Sequence, residues 1–201
     1  MRSEFSLFQS HLDLAHNYWR KILCPGQLAI DATCGNGHDT LQLCQLALVG
    51  SPGRVYAFDR LEEAIEKTKQ RLTAALLPEQ LLHVHLEARC HSQFPSHILP
   101  ESIQLIVYNL GYLPGGNKEL TTCKETTLKS LEQGLLLISP GGAISLTCYP
   151  GHPEGALEEK ELQGFLQKLS PLEWSACQHI WLNRRLAPSL LILQKAKSNK
   201  S

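Results

Sequence analysis

The sequence predicts an α/β protein with a mostly parallel sheet, helices on both faces and an antiparallel hairpin at one edge. Apolar runs of strand length alternate with segments of helical periodicity along the 201-residue chain. The last two apolar runs are joined by the short link Asn183–Pro188, which is typical of an antiparallel hairpin. A hydrophobic content of 43% suffices for one substantial core, so we expect a single domain over residues 1–201.

The elements are expected in alternating order after an N-terminal helix within residues 1–24, which has apolar residues at helical spacing and ends at Pro25-Gly26. Strands are predicted at 28–30, 54–58, 81–86, 103–108, 143–148, 175–182 and 189–194. Helices are predicted at 39–48, 61–77, 121–138 and 153–169, with Pro78 ending the second of these. The polar tail 196–201 is expected to be disordered.

The segment Asp31-Ala-Thr-Cys-Gly-Asn-Gly-His-Asp-Thr40 follows the first strand and predicts a glycine turn that opens into a helix. Gly35 and Gly37 carry no Cβ, so the backbone can approach a ligand closely there. Asp59 ends the second strand, about 20 residues further on, where α/β nucleotide sites hold ribose hydroxyls. A ligand-free strand-to-helix connection is the alternative, but it leaves the position of Asp59 unexplained.

The same loop indicates which cofactor class it suits. Thr40 stands where a dinucleotide fingerprint needs its third glycine, and no phosphate-binding G-x-x-x-x-G-K-[ST] segment occurs in the sequence. An acidic residue followed by G-x-G, with a later ribose carboxylate, resembles the S-adenosylmethionine site of class I methyltransferases.

A second candidate site loop, Asn109-Leu-Gly-Tyr-Leu-Pro-Gly-Gly116, follows the fourth strand. Asn109 and Tyr112 have the spacing of the [DNS]-P-P-[YFW] loop of N-methyltransferases, although both prolines are missing, which disfavours adenine as the substrate. An amide oxygen can hold the hydrogens of an acceptor amine, and an aromatic ring can stack on its base. The alternative is a glycine-rich turn with one tyrosine packed on it.

These two loops, together with Tyr149-Pro-Gly-His152 and Glu154-Gly155, resemble a family of small bacterial methyltransferases. Its members were long described as rRNA methylases and are now associated with tRNA 5-aminomethyl-2-thiouridine methyltransferases. The match extends from about Leu28 to Lys195. The resemblance implies a class I fold, S-adenosylmethionine as the cofactor, the tRNA anticodon arm as the partner and a homodimer. The expected product is 5-methylaminomethyl-2-thiouridine at the wobble position.

Site residues are carried over where the sequence matches the family's motifs. His91 matches the histidine of a Ser-His pair, and Cys90 stands in place of its serine. The cofactor-binding candidates are Asp31, Gly35, Asn36, Gly37, Asp39, Asp59, Arg60, Cys90 and His91. The catalytic candidates are Asn109 and Tyr112, and the substrate-binding candidates are Gly111, Tyr149 and His152.

Composition limits the partners and the compartment. The formal net charge is zero, so RNA would have to bind a local patch, for which Arg184, Arg185 and the lysines at 195, 197 and 200 are candidates. No apolar stretch is long enough to span a membrane, and the acidic N-terminus is unlike a signal peptide. Seven scattered cysteines without a C-x-x-C indicate free thiols and a cytoplasmic location.

No metal site is expected, because His83 and His85 lack further ligands at recognisable spacing. Three other functions stay open at this point. They are methylation of rRNA, methylation of a small molecule, and RNA binding without catalysis.

Overall fold

The computed structural model describes residues 10–51, 53–111 and 124–198. The strands are β1 Leu28–Asp31, β2 Arg54–Asp59, β3 Val84–Ala88, β4 Ile103–Asn109, β5 Ile138–Cys148, β6 Trp174–His179 and β7 Ser189–Lys195. The helices are α1 His11–Ile22, α2 His38–Ala47, α3 Glu62–Ala75, α4 Pro78–Leu81, α5 Lys124–Leu137 and α6 Pro153–Leu166.

All seven strands form one sheet in the order β3-β2-β1-β4-β5-β7-β6. The pairs from β3 to β5 are parallel, whereas β7 runs antiparallel to both β5 and β6. The order reverses between β1 and β4, where open α/β sheets bind their ligands beyond the carboxyl ends of the strands. The predicted fold class, including the antiparallel pair at one edge, is confirmed.

Helices cover both faces of the sheet, as the alternating pattern predicts. On one face, Trp19 of α1, Leu43 of α2 and Leu72 of α3 pack in one core cluster with the sheet residues Val55 and Val107. On the other, Leu131 of α5 and Leu162 of α6 pack with strand residues that include Phe58, Tyr108 and Ile144. These side chains alternate along each strand, so each face of the sheet has its own core.

Helix α1 begins with a capping box, in which Ser10 Oγ accepts from the Asp13 backbone N–H and Asp13 accepts from the Ser10 N–H. Its buried face carries Ala15 and Trp19, which are 0% and 2% exposed. The predicted N-terminal helix is therefore confirmed over the described residues, and it packs across β4, β5 and β7.

Several predicted boundaries were wrong. Pro78 does not merely end α3, because it begins the short helix α4, where a proline costs no hydrogen bond. The third strand consequently starts at Val84, not Leu81. Strand β5 begins at Ile138, ahead of an irregular segment in which Gly141 has φ +81°. Ala196, which belongs to the predicted tail, donates a backbone hydrogen bond to the Glu173 carbonyl and accepts one from the Gly141 N–H. No described helix is long and apolar enough to cross a membrane.

Candidate active site

The glycine loop after β1 is fastened to α3. Gly37 has φ +77°, and a Cβ there would lie 2.8 Å from the Cα of Thr68, so backbone conformation and packing both require glycine. Thr68 Oγ1 donates to the Gly35 carbonyl at 3.1 Å, and Arg71 Nε donates to the Asn36 carbonyl at 2.7 Å. The loop is therefore held in one shape by side chains of a neighbouring helix.

Asp59 connects this loop to the end of β2. One carboxylate oxygen accepts from the Gly35 N–H at 3.0 Å and the other from the Leu61 N–H at 3.0 Å. The side chain is partly exposed, and each oxygen keeps a further lone pair. Arg60 beside it is exposed. Asp59 thus presents a fixed acceptor pair at the edge of the sheet, in the position that the sequence predicts for a ribose-binding carboxylate.

Asp31, at the end of β1, lies beneath the loop and is 1% exposed. Its carboxylate accepts from Thr40 Oγ1 at 2.6 Å and from the Thr33 N–H at 3.2 Å. Burial, followed by the charges of Asp39 and Asp59, raises the pKa of Asp31 to about 7. The charges of Asp39 and Asp59 therefore oppose a third negative charge at Asp31.

Asp39, in the first turn of α2, joins three segments of the chain. Its Oδ1 lies 3.0 Å from His16 Nε2 on α1, and its Oδ2 accepts from Asn109 Nδ2 at 3.2 Å. The Asn109 backbone N–H donates to Thr33 Oγ1 at 2.7 Å. The structure therefore places Asp39, a predicted cofactor residue, in direct contact with the predicted catalytic asparagine.

Tyr149 follows β5 and lies across the same edge. Its hydroxyl is 3.2 Å from His11 Nε2, and its side chain lies close to that of Asn109. Burial, then the nearby charge of Asp39, raises the pKa of Tyr149 to about 12. Gly111, with φ +136°, lies alongside the Tyr149 ring. Two predicted substrate residues therefore meet at the predicted catalytic asparagine.

His152 supports the backbone at the beginning of α6. It is the N-cap of α6, where its Nδ1 accepts from the Gly155 N–H at 3.1 Å and lies 3.4 Å from a carboxylate oxygen of Glu154. A Cβ on Gly155 would lie 2.2 Å from the Tyr149 carbonyl oxygen, which explains the glycine. His152 therefore helps to shape the turn that carries Tyr149, and its contact with a substrate stays a prediction.

His91 and Cys90 lie between β3 and β4. The His91 ring is buried edge-on against Tyr108, with centroids 6.1 Å apart, and its Nε2 is 3.5 Å from Thr127 Oγ1. Burial, then the charge of Arg60, lowers the pKa of His91 to about 4, so the ring is neutral near pH 7. Cys90 is partly exposed next to it. Their predicted cofactor role is compatible with these positions and stays a prediction.

The sequence reading missed His11, His16 and Thr33. His11 precedes the buried Ala15 and Trp19 by four and eight residues, a spacing that places all three on one face of α1. That spacing could have identified His11. Tyr112 lies outside the described residues. Within the described ranges, no three His, Cys, Asp or Glu side chains are grouped so that they could hold a metal ion.

Known proteins resemble this chain in sequence and in fold. The model of the family described as "Putative rRNA methylase" matches residues 55–195. The chain belongs to this family. A chloroplastic tRNA (mnm(5)s(2)U34)-methyltransferase of Arabidopsis thaliana is 39% identical over 191 residues, which cover 92% of this chain and 69% of the relative.

Two solved structures have the same fold. A crystal structure from Clostridium thermocellum, which bears the same rRNA-methylase description, has a TM-score of 0.87 and 30% identity, covering 94% of this chain and 98% of its own. A Streptococcus mutans structure in complex with SAH has a TM-score of 0.79 and 28% identity, covering 94% and 99%. The fold is therefore that of a class I methyltransferase.

Proposed function

We propose that the protein is an S-adenosylmethionine-dependent methyltransferase that converts 5-aminomethyl-2-thiouridine at the wobble position of tRNA to 5-methylaminomethyl-2-thiouridine. The observation that carries the proposal is the meeting of a rigid glycine loop, its ribose-type carboxylate Asp59 and the Asn109 amide at one edge of the sheet. The Arabidopsis relative, which is named as a methyltransferase of this modified uridine, supports the choice of substrate.

The charge of the loop region fits this cofactor better than a dinucleotide. Asp31, Asp39 and Asp59 interact electrostatically around the loop. Carboxylates attract a sulfonium and an ammonium group, whereas they repel a pyrophosphate. The chemistry of these donors therefore suits a cationic nucleoside. Asp59 would hold its ribose, and Gly35, Asn36 and Gly37 would form the loop against which it lies.

When bound, S-adenosylmethionine supplies an electrophilic methyl group on a sulfonium. The chain's task is then to present a neutral amine in line with that methyl group. Asn109 can accept an amine hydrogen through its amide oxygen, and we expect Tyr112 to stack on the uridine base. A strong general base is unnecessary, because the amine can lose its proton to solvent after it has attacked.

The β6–β7 loop offers a surface for RNA beside this site. Because β6 runs parallel to β5, the loop emerges at the carboxyl edge, where the Leu186 carbonyl lies near Gly151 of the Tyr149 turn. Arg184 stacks on the Trp181 ring at 4.3 Å, and Leu182 is 93% exposed. Stacking groups and guanidinium charges suit the unpaired bases and phosphates of an anticodon loop.

The residues of the predicted basic patch that the structure describes do not form one surface, and Lys200 lies outside the described residues. Strand β7 runs away from the carboxyl ends of the parallel strands. Lys195 therefore lies at their amino ends and pairs there with Glu101 at 2.7 Å. We therefore assign RNA contact to Arg184 and Arg185 alone. The anticodon arm as the docking partner, a homodimeric assembly and a cytoplasmic location are also parts of the proposal.

The direct test is methylation in vitro. Purified protein is incubated with labelled S-adenosylmethionine and tRNA that carries 5-aminomethyl-2-thiouridine, and nucleosides are analysed by mass spectrometry. We expect 5-methylaminomethyl-2-thiouridine to form, and tRNA without the aminomethyl group to stay unmethylated. Methylation of rRNA alone, or no methylation of any RNA, would overturn the proposal. Gel filtration tests the dimer.

A further inference from the structure

The Asn109 side chain is surrounded by polar groups from three distant parts of the chain. Asp39 comes from α2, Tyr149 from the turn after β5, and both are contacted in turn by histidines of α1. A primary amide has two chemically different ends, and its neighbours decide which end faces a substrate.

Asp39 fixes the orientation of this amide. A carboxylate can only accept hydrogen bonds, so the group 3.2 Å from its Oδ2 must be the amide nitrogen of Asn109. If the amide were turned over, two oxygens would face each other. The Tyr149 side chain lies close to the same amide, and its hydroxyl can accept a hydrogen bond from the second N–H. With Nδ2 turned to Asp39, Oδ1 is the end of the amide that is left to accept.

The two histidines of α1 complete the arrangement. His16 Nε2 donates to the other oxygen of Asp39 at 3.0 Å and so keeps that carboxylate in place. His11 Nε2 lies 3.2 Å from the Tyr149 hydroxyl and can accept a hydrogen bond from it. Burial lowers the pKa of His11 against the opposing charges of Asp39 and Asp13, which favours the neutral, accepting ring.

We propose that Asp39 and His16 are positioning residues that lock the Asn109 amide with Oδ1 toward the acceptor amine, so that the N-terminal helix takes part in methyl transfer without touching the cofactor. The inference rests on the proposed amine methylation. It gives Asp39 a role on the acceptor side of the site, in place of the cofactor contact expected from the sequence.

A swap of the two side chains tests the lock. Asp39→Asn and Asn109→Asp each break the donor–acceptor pair, and we expect either change to lower kcat by about 10- to 100-fold, the scale of a misplaced reacting group. The double variant D39N/N109D restores one donor facing one carboxylate, again with an oxygen left over. We expect it to recover at least about tenfold over the worse single variant.

His16 is tested with a matched pair. His16→Phe keeps a ring against Trp19, whose centroid is 4.6 Å away, but removes the donor. His16→Gln keeps a donor. We expect kcat to fall about 5- to 20-fold for the first and at most about twofold for the second, with cofactor affinity unchanged in both. His83→Phe, before β3 at the opposite edge of the sheet, serves as the control and should leave kcat unchanged.

A measurement without substrate separates this inference from the proposed function. The side-chain NH₂ signals of Asn109 are assigned in a ¹⁵N spectrum by their loss in N109D. We expect slow hydrogen exchange in the wild type and faster exchange in D39N. Fast exchange of the Asn109 NH₂ hydrogens in the wild type, or a double variant whose kcat is no higher than that of either single variant, would overturn the positioning role of Asp39. Failure of the wild type to methylate any amine would overturn the proposed function alone.

Discussion

The two halves of the site are held together in different ways. In the proposed cofactor half, made by the loops after β1 and β2, backbone groups of Gly35, Asn36 and Leu61 are bonded to side chains of α3 and to Asp59. In the proposed acceptor half, after β4 and β5, the contacts join side chains up to 138 residues apart. The contacts of the first half span at most 35 residues of sequence, whereas those of the second reach across most of the chain. Changes in the two halves should therefore have separable effects.

The largest effect is expected in the acceptor half. Asn109→Ala removes the group proposed to hold the amine, and we expect turnover to fall by at least about 100-fold while the affinity for S-adenosylmethionine stays within about twofold. Tyr112→Ala should act in the same direction. Steady-state methylation of tRNA and calorimetry on the same variants measure the two quantities. Wild-type turnover in both variants would show that this loop is structural.

Asp59→Ala should lower the affinity for the cofactor and leave turnover nearly unchanged. It removes the acceptor of the ribose hydroxyls and frees the Gly35 N–H, so we expect cofactor binding to weaken by about 1.5–3 kcal/mol. Turnover at saturating cofactor should change much less. Calorimetric titration with S-adenosylmethionine and with SAH checks this. An unchanged affinity would remove Asp59 from the cofactor half.

The raised pKa of Asp31 predicts two pH effects of opposite sign. Because its folded pKa of about 7 lies above the ordinary value of 3.8, the contribution of Asp31 to stability is fully present below about pH 4, falls as the pH rises and is lost once the pH has passed about 7. Binding of a cation prefers the ionised form, so affinity for S-adenosylmethionine should rise by about three- to tenfold from pH 6 to pH 8.

Asp31→Asn should flatten both profiles, since the amide does not titrate. Thermal unfolding and calorimetry across this pH range measure them on matched samples. SAH, which lacks the sulfonium charge, serves as the control ligand and should show the weaker pH dependence. Equal slopes for the wild type and the variant would mean that another group is responsible.

The smallest effect is expected outside both halves. Removing the two charges proposed to face phosphates, with R184Q/R185Q, should weaken tRNA binding and reduce the slope of log affinity against log salt by about 1–2. Lys197→Gln removes a charge next to Gly141 at the opposite edge and should leave the slope unchanged. If Lys197→Gln reduced the salt slope instead, RNA binding would have to be assigned to the opposite end of the sheet.

The difference between the two halves also explains which features could be predicted from the sequence. The fold class depends on short-range patterns and was predicted correctly. The glycines before a helix and the acidic residue at a strand end were also expected to lie together, as they do, and their role in binding the cofactor stays a prediction. His11 and His16 were missed, because their partners Tyr149 and Asp39 come close only when α1 packs across the sheet. Boundaries such as Pro78 failed where one residue type can either end or begin a helix.

The reversed direction of β7 has a consequence for how this enzyme could change its substrate. Between parallel strands, each connection that leaves the site end of the sheet must cross to the opposite end before the next strand begins. Here β7 starts at the site end and β6 finishes there, so the connection between them, residues 180–188, can vary in length or composition without disturbing any strand that carries the cofactor loops. Selection for a new RNA could therefore act on one exposed connection while the methyl-donor machinery stays as it is.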